Sequence, residues 1–135
     1  MLDTNVLVSA LLQPLGNPAR ILRLILERAV ELALDERIMA EYAAVLARPK
    51  FGLPEDLRTS VLAEIARIAV FAGLPPEPVS LPDPADQPFL EAALASGAHA
   101  LITGNMRHFP ADHCSGMQVI TPAEFMEVWA EHNRA

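Results

Sequence analysis

The sequence predicts an α/β fold built on a parallel sheet, and three observations carry that expectation. Short apolar segments bounded by turn residues, such as "VELAL", "AHALI" and "MQVI", alternate with longer segments of helical periodicity. Helix-length stretches separate the strand candidates, as parallel connections require. Ala and Leu abound while aromatics make up only 5%, which suits helices packed through aliphatic side chains. The 135 residues match the length of one domain with one core, expected over residues 1–135. A hydrophobic content of 52% with 20% charged residues describes a globular chain rather than a disordered one.

Taken in order, "MLDTNVLVSALL" reads as a strand end followed by a helix over residues 5–12, broken by "QPLGNP". "ARILRLILERA" is the next helix, with Ile21, Leu22, Ile25, Leu26 and Ala29 on one face. Residues 30–34 form a strand candidate, and Asp35 is placed to cap the helix of "ERIMAEYAAVLA". A longer helix is expected over residues 54–71, carrying Leu57, Val61, Leu62, Ile65 and Ile68. "GLPPEPVSLPDP" is the one long irregular connector, over residues 73–84. A helix over residues 86–96 leads through Gly97 into the buried strand "AHALIT". "GNMRHFP" is a loop or single turn, "MQVI" the last strand, and "TPAEFMEVWAEH" a capped final helix with Pro122 at its first position.

Charge and composition exclude several classes. The net charge of −7, with Lys50 as the sole lysine, rules out a nucleic-acid binder that works by overall attraction, because phosphate contacts need Lys or Arg. Contact with nucleic acid would have to be local or mediated by metal. No apolar run reaches the ~18 to 20 residues of a membrane span, and the N-terminus lacks the basic start and cleavage site of a signal peptide. Cys114 is the single cysteine, so no intrachain disulfide is expected and a cytoplasmic location fits. His113 and Cys114 lack partners at zinc-ligand spacing.

Ligands of open parallel sheets gather beyond the carboxyl ends of the strands. Asp3 follows the first strand, Asp83 and Asp86 follow the connector, and Thr103, Gly104 and Asn105 follow the "AHALI" strand. Each has a plain structural alternative. Asp3 or Thr4 caps the first helix, Asp86 caps its own, Asp83 belongs to a Pro-rich turn, and Gly104–Asn105 is a common turn pair. Glu41 is harder to dismiss, since it borders the buried stripe three residues after Ile38 and four before Val45. Together, four separate points of the chain bring an acid or amide to one cleft. Carboxylates so packed raise one another's pKa unless a cation compensates them. Mg²⁺ or Mn²⁺ suits oxygen ligands of this kind, and a metal-bound water beside a carboxylate attacks phosphodiesters. His108 is expected to pack, with phosphate contact as its alternative, and His99 to be structural. Arg48, Lys50 and Arg107 are candidates for a basic rim or simply for solvated surface.

"LDTNVLVSALL", "EYAAVLARPKF", "DPADQPFLEAALASGAHALITGN" and "RHFP" resemble the successive motifs of the PIN-domain family, closest to its VapC-like toxin ribonucleases. The resemblance spans nearly the whole chain. It implies a three-layer α/β/α sandwich with a central parallel sheet, and a site in which Asp3, Glu41, Asp86 and Asn105 are catalytic and bind Mg²⁺ or Mn²⁺. Thr4, Asn5 and Thr103 would orient Asp3 and the far side, and Asp83 would assist through water. It also implies single-stranded RNA as substrate and an antitoxin protein that inserts a basic side chain into the acidic cleft. Asn105 stands where many members carry an acid. An amide brings no negative charge, so a one-metal site with weak Mg²⁺ affinity and better activity with Mn²⁺ is expected. Only Met1 and Leu2 precede Asp3, whereas strands typically run ~5 to 6 residues; an upstream extension of the natural chain is therefore expected. The abundance of aliphatic side chains suggests a homodimer.

Two further readings compete. A non-catalytic module of the same fold, binding RNA or protein, is compatible with Asn105 and the acidic surface. A phosphatase with Asp3 as nucleophile would need a second Asp where Asn5 stands and a later catalytic Lys, while Lys50 comes too early.

Overall fold

The computed structural model describes residues 1–73 and 78–133. Helices dominate it. α1 (Thr4–Leu12) begins directly after Asp3, whose side chain accepts from the Thr4 N–H and closes the first turn. α2 (Asn17–Leu26) carries Pro18 in its first turn and buries Ala19, Ile21, Leu22 and Ile25. The helix ends before Ala29, which is exposed rather than part of the buried face. β1 (Ala33–Leu34) is fully buried. Asp35 caps α3 (Glu36–Leu46) through the Ile38 N–H, as its spacing predicts. α4 (Glu55–Ile68) comes after a short turn of 3₁₀ helix, Pro49–Phe51. Its buried face consists of Val61 and Ile65, whereas Leu57 is exposed.

The helix expected to continue to residue 71 stops at Ile68, and Val70–Phe71 forms β2. The reason lies in β1. The Val70 and Ala72 N–H groups donate to the Leu32 and Leu34 carbonyls, a parallel ladder that offers partners to backbone groups a helix end would leave free. The β-branched and aromatic pair favours the extended state once that partner is present. The irregular connector predicted over residues 73–84 lies partly outside the described residues, at 74–77.

After a 3₁₀ turn at Pro84–Asp86, α5 (Gln87–Ser96) ends at Gly97, whose φ of 68° places it in the left-handed region that terminates helices. β3 (Leu101–Ile102) and β4 (Val119–Ile120) pair in parallel. Between them lie two 3₁₀ turns, Met106–His108 and Ala111–His113. α6 (Pro122–His132) opens with a full capping box between Thr121 and Glu124.

Every strand pairing in the described residues is parallel, as predicted, but the sheet is fragmentary. Leu2 bridges Ile102 beside the β3–β4 pair, and β1–β2 forms a separate ladder. The continuous central sheet is therefore not formed among the described residues. On one side of the opening segment a side chain takes the role of a strand: the Tyr42 hydroxyl donates to the Leu2 carbonyl at 2.6 Å. α5 packs against both β1 and β3 and so joins the two groups of strands. One core runs through them, from Met1, Leu2 and Leu7 through Ile38, Tyr42 and Ile65 to Leu90, Leu101 and Ile120. His99 stands just before β3 and is exposed, not built into a strand. No helix among the described residues is long and apolar enough to cross a membrane.

Candidate active site

The opening segment and β3 run side by side in the same direction, so the residues leaving each of them emerge at one edge. Asp3 N–H donates to the Ile102 carbonyl, and Thr103 N–H to the Ile120 carbonyl. Asp3 and Thr103 thus leave the ladder together, and both are buried, at 6% and 0% exposure. The Thr103 hydroxyl donates to Asp3 Oδ2 at 2.7 Å. The Asn5 amide donates to the same oxygen at 3.3 Å and accepts from the Gly104 N–H at 3.1 Å. The first motif and the loop after β3 are therefore bound together around one carboxylate.

Asp86 enters from the other side, at the junction of the Pro84–Asp86 turn and α5. It occupies the cap position yet makes no capping hydrogen bond, which removes the plain structural explanation for it. Asp86 is 8% exposed. Its Oδ2 has no aligned hydrogen-bond partner among the described residues, although His108 Nδ1 lies 3.0 Å away. That contact has the distance of a hydrogen bond but not its direction. Thr4 Oγ1 is a second buried oxygen without a partner among the described residues. Asp83, by contrast, is exposed and accepts from the Ala85 N–H at 2.9 Å, the turn role its sequence context suggests.

Asp86 feels the charge of three other acids. Burial raises the Asp86 carboxyl above its ordinary pKa; His108 lowers it, and the charges of Asp3, Asp83 and Glu41 each raise it again. Burial likewise raises Asp3, against the hydrogen bonds from Thr103 and Thr4 and the pull of His108. Glu41 is half-buried on α3, one residue before Tyr42. Tyr42 resists ionisation chiefly because it is buried and secondarily because Asp3 is near. Asn105 is half-buried; its N–H donates to Thr103 Oγ1 at 3.0 Å, and its amide nitrogen lies 2.9 Å from His108 Nε2.

A hard divalent cation fits this chemistry. The donors are carboxylate oxygens, burial and mutual repulsion disfavour their charge, and Asp86 Oδ2 is buried without an aligned hydrogen-bond partner among the described residues. No three His, Cys, Asp or Glu side chains among the described residues stand close enough to form a ready-made cage. The fit is thus to an ion that keeps several waters, as Mg²⁺ does.

Of two neighbours of the candidate site, His108 has a signal in the sequence and Tyr42 has none. His108, expected to pack, touches both Asp86 and Asn105; its signal is its position three residues after Asn105, on the same turn. Tyr42 reads in the sequence as ordinary core. Its hydroxyl in fact holds the carbonyl immediately before Asp3. No curated protein and no solved structure matches the chain. A family model described as "PIN domain" matches residues 1–107, which include Asp3, Glu41, Asp86 and Asn105. With four-fifths of its length matched, the chain belongs to the PIN-domain family, whose members are generally nucleases.

Proposed function

We propose that this protein is a divalent-metal-dependent endoribonuclease that cleaves single-stranded RNA, and that it acts as the toxin of a toxin–antitoxin pair. One observation carries the catalytic part. Asp3 and Asp86 are buried, electrostatically coupled carboxylates, and Asp86 keeps an oxygen without an aligned partner. A fold that needed Asp86 only as a cap would have given its side chain a capping hydrogen bond, as it does for Asp3.

In this reading Asp3 and Asp86 hold Mg²⁺ or Mn²⁺, Glu41 orients the attacking water, and Asn105 completes the fourth corner. When bound, the cation lowers the pKa of water and stabilises the charge of the phosphodiester. Thr103 and Asn5 fix the rotamer of Asp3 through the two bonds to its Oδ2. Thr4 closes the other oxygen with its backbone N–H. Asp83, exposed at the mouth, adds charge and reaches the site through water. In this reading the water's oxygen would bond to phosphorus as the bond from phosphorus to the ribose oxygen breaks, Glu41 would receive the water's proton, and solvent water would protonate the leaving ribose oxygen.

The remaining parts of the reading concern the whole particle. The three-layer α/β/α arrangement, a homodimer, an antitoxin with a basic residue for the acidic cleft, and a cytoplasmic setting belong to it together. Exposed apolar side chains support association: Leu15 is 95% exposed and Leu12, Val70, Phe71 and Val128 are each about 40% exposed. Light scattering at high concentration tests the dimer, and a strictly monomeric mass would remove it. Incubating purified protein with a single-stranded RNA and Mg²⁺ or Mn²⁺, against the same mixture with chelator, tests the nuclease. Divalent-dependent fragments support the reading, and intact RNA in both ions turns it towards a non-catalytic module.

A further inference from the structure

We propose that His108 is itself a ligand of the cation, so that the site has mixed nitrogen and oxygen donors and selects a first-row transition ion over Mg²⁺. The inference rests on the metal-dependent reading above and adds a residue and a selectivity to it.

The geometry points there from two directions. His108 Nδ1 stands 3.0 Å from Asp86 Oδ2, off the line of a hydrogen bond, and that buried oxygen is otherwise without a partner among the described residues. Two atoms bound at adjacent corners of one octahedral ion, each about 2.1 Å from it, lie about 3 Å apart. The pair therefore has the spacing of two ligands that share an ion and lacks the alignment of two groups that share a proton. Leaving a buried carboxylate oxygen unsatisfied is costly, and a cation between the two relieves it.

The second direction is Asn105. A metal-bound imidazole donates its other ring N–H to an acceptor, which fixes the ring and the tautomer. Asn105 occupies that place, 2.9 Å from His108 Nε2. A half-turn of the amide exchanges its nitrogen for its oxygen at the same position. With the oxygen facing Nε2–H, the lone pair of Nδ1 is left for the ion. Asn105, anchored through its own N–H to Thr103 Oγ1, is then the positioning residue of His108, and His108 takes over the fourth corner that the proposed function gives to Asn105. Imidazole is a good ligand for first-row transition ions, whereas Mg²⁺ keeps to oxygen and water. The replacement of an acid by Asn105 and the presence of His108 three residues on become one arrangement.

Mn²⁺ is the probe. Electron spin-echo spectroscopy of the Mn²⁺-loaded full chain should show modulation from a directly bound ¹⁴N nucleus. His108→Ala should abolish that modulation and weaken Mn²⁺ binding about tenfold or more, while His113→Ala keeps both. The Mg²⁺ affinity, measured by competition, should change much less in His108→Ala. Because the modulation is read in the unmodified protein, the result does not depend on the variant folding; uniform ¹⁵N-histidine labelling, which replaces the ¹⁴N pattern, identifies imidazole as its source. Mn²⁺ bound without nitrogen modulation, or modulation that survives His108→Ala, overturns the assignment of His108 and leaves the carboxylate site standing. Failure of the chain to bind Mn²⁺ at all overturns both.

Discussion

One oxygen of Asp3 closes the first turn of α1, while the other receives Thr103 and Asn5. On the proposed function such a residue serves the fold and the chemistry at once, and an amide separates the two roles. Asp3→Asn keeps a carbonyl oxygen for the Thr4 N–H and the shape of the side chain, sets an NH₂ in place of the oxygen that accepts from Thr103 and Asn5 at some cost in stability, and removes the charge a cation needs. The expected outcome is a folded protein by circular dichroism with no RNA cleavage. Asp86 is simpler because it caps nothing. Burial and the charges of Asp3, Asp83 and Glu41 all disfavour its ionised form, against His108 alone. Asp86→Asn in the metal-free protein should therefore be stabilising, by about 1 kcal/mol, or roughly 2–8 °C in melting temperature, while cleavage is lost. A lower melting temperature in calorimetry would show that Asp86 is a structural residue.

At the scale of elements, two side chains join pieces that the backbone leaves apart. Tyr42, fully buried on α3, donates to the Leu2 carbonyl across 40 residues of chain and aligns α3 with the segment that presents Asp3. Tyr42→Phe keeps the ring but strands a buried carbonyl, and should cost about 1–3 kcal/mol in a urea titration. Glu91 on α5 accepts from Arg37 at 2.7 Å through one oxygen and from the Val79 N–H at 3.1 Å through the other, while Arg37 also pairs with Asp35, the cap of α3. It ties the start of α3, the helix α5 and the chain after the connector into one joint. Glu91→Ala should release the Val79 amide, seen as faster hydrogen exchange at that residue with little change in the core of α3. The helices are legible in the sequence because their caps and periodicity are local: Asp35, Thr121 and Gly97 announce their ends within a few residues. β2 is not, because Val70 and Phe71 continue an apolar run and become a strand only through the Leu32 and Leu34 carbonyls. The same holds for the site. Its acids can be suspected from their places after strands, but the contact of His108 with Asp86 spans 22 positions and leaves no local mark.

For the molecule as a whole, the opening segment, β3 and α5 send Leu2, Leu101, Phe89 and Leu90 into a common core, while Asp3, Thr103 and Asp86 stand at the ends of these elements. Cys114 reports on that core. It is 1% exposed, its thiol donates to the Pro110 carbonyl, and burial raises its pKa. Its reaction with a thiol reagent near neutral pH should be slow and should accelerate at the denaturant concentration where the fold is lost; rapid native-state labelling would show that the 3₁₀ turns before β4 open on their own. The central claim is that the buried carboxylates Asp3 and Asp86 make this PIN domain a metal-dependent nuclease. Cleavage of a labelled single-stranded RNA by the wild type, Asp3→Asn and Asp86→Asn, each with Mn²⁺, with Mg²⁺ and with chelator, tests it most directly. Fragments are expected from the wild type only in the presence of a divalent ion, with at least a hundredfold loss of cleavage in both variants. Equal cleavage by wild type and variants, or cleavage that persists in chelator, would contradict it.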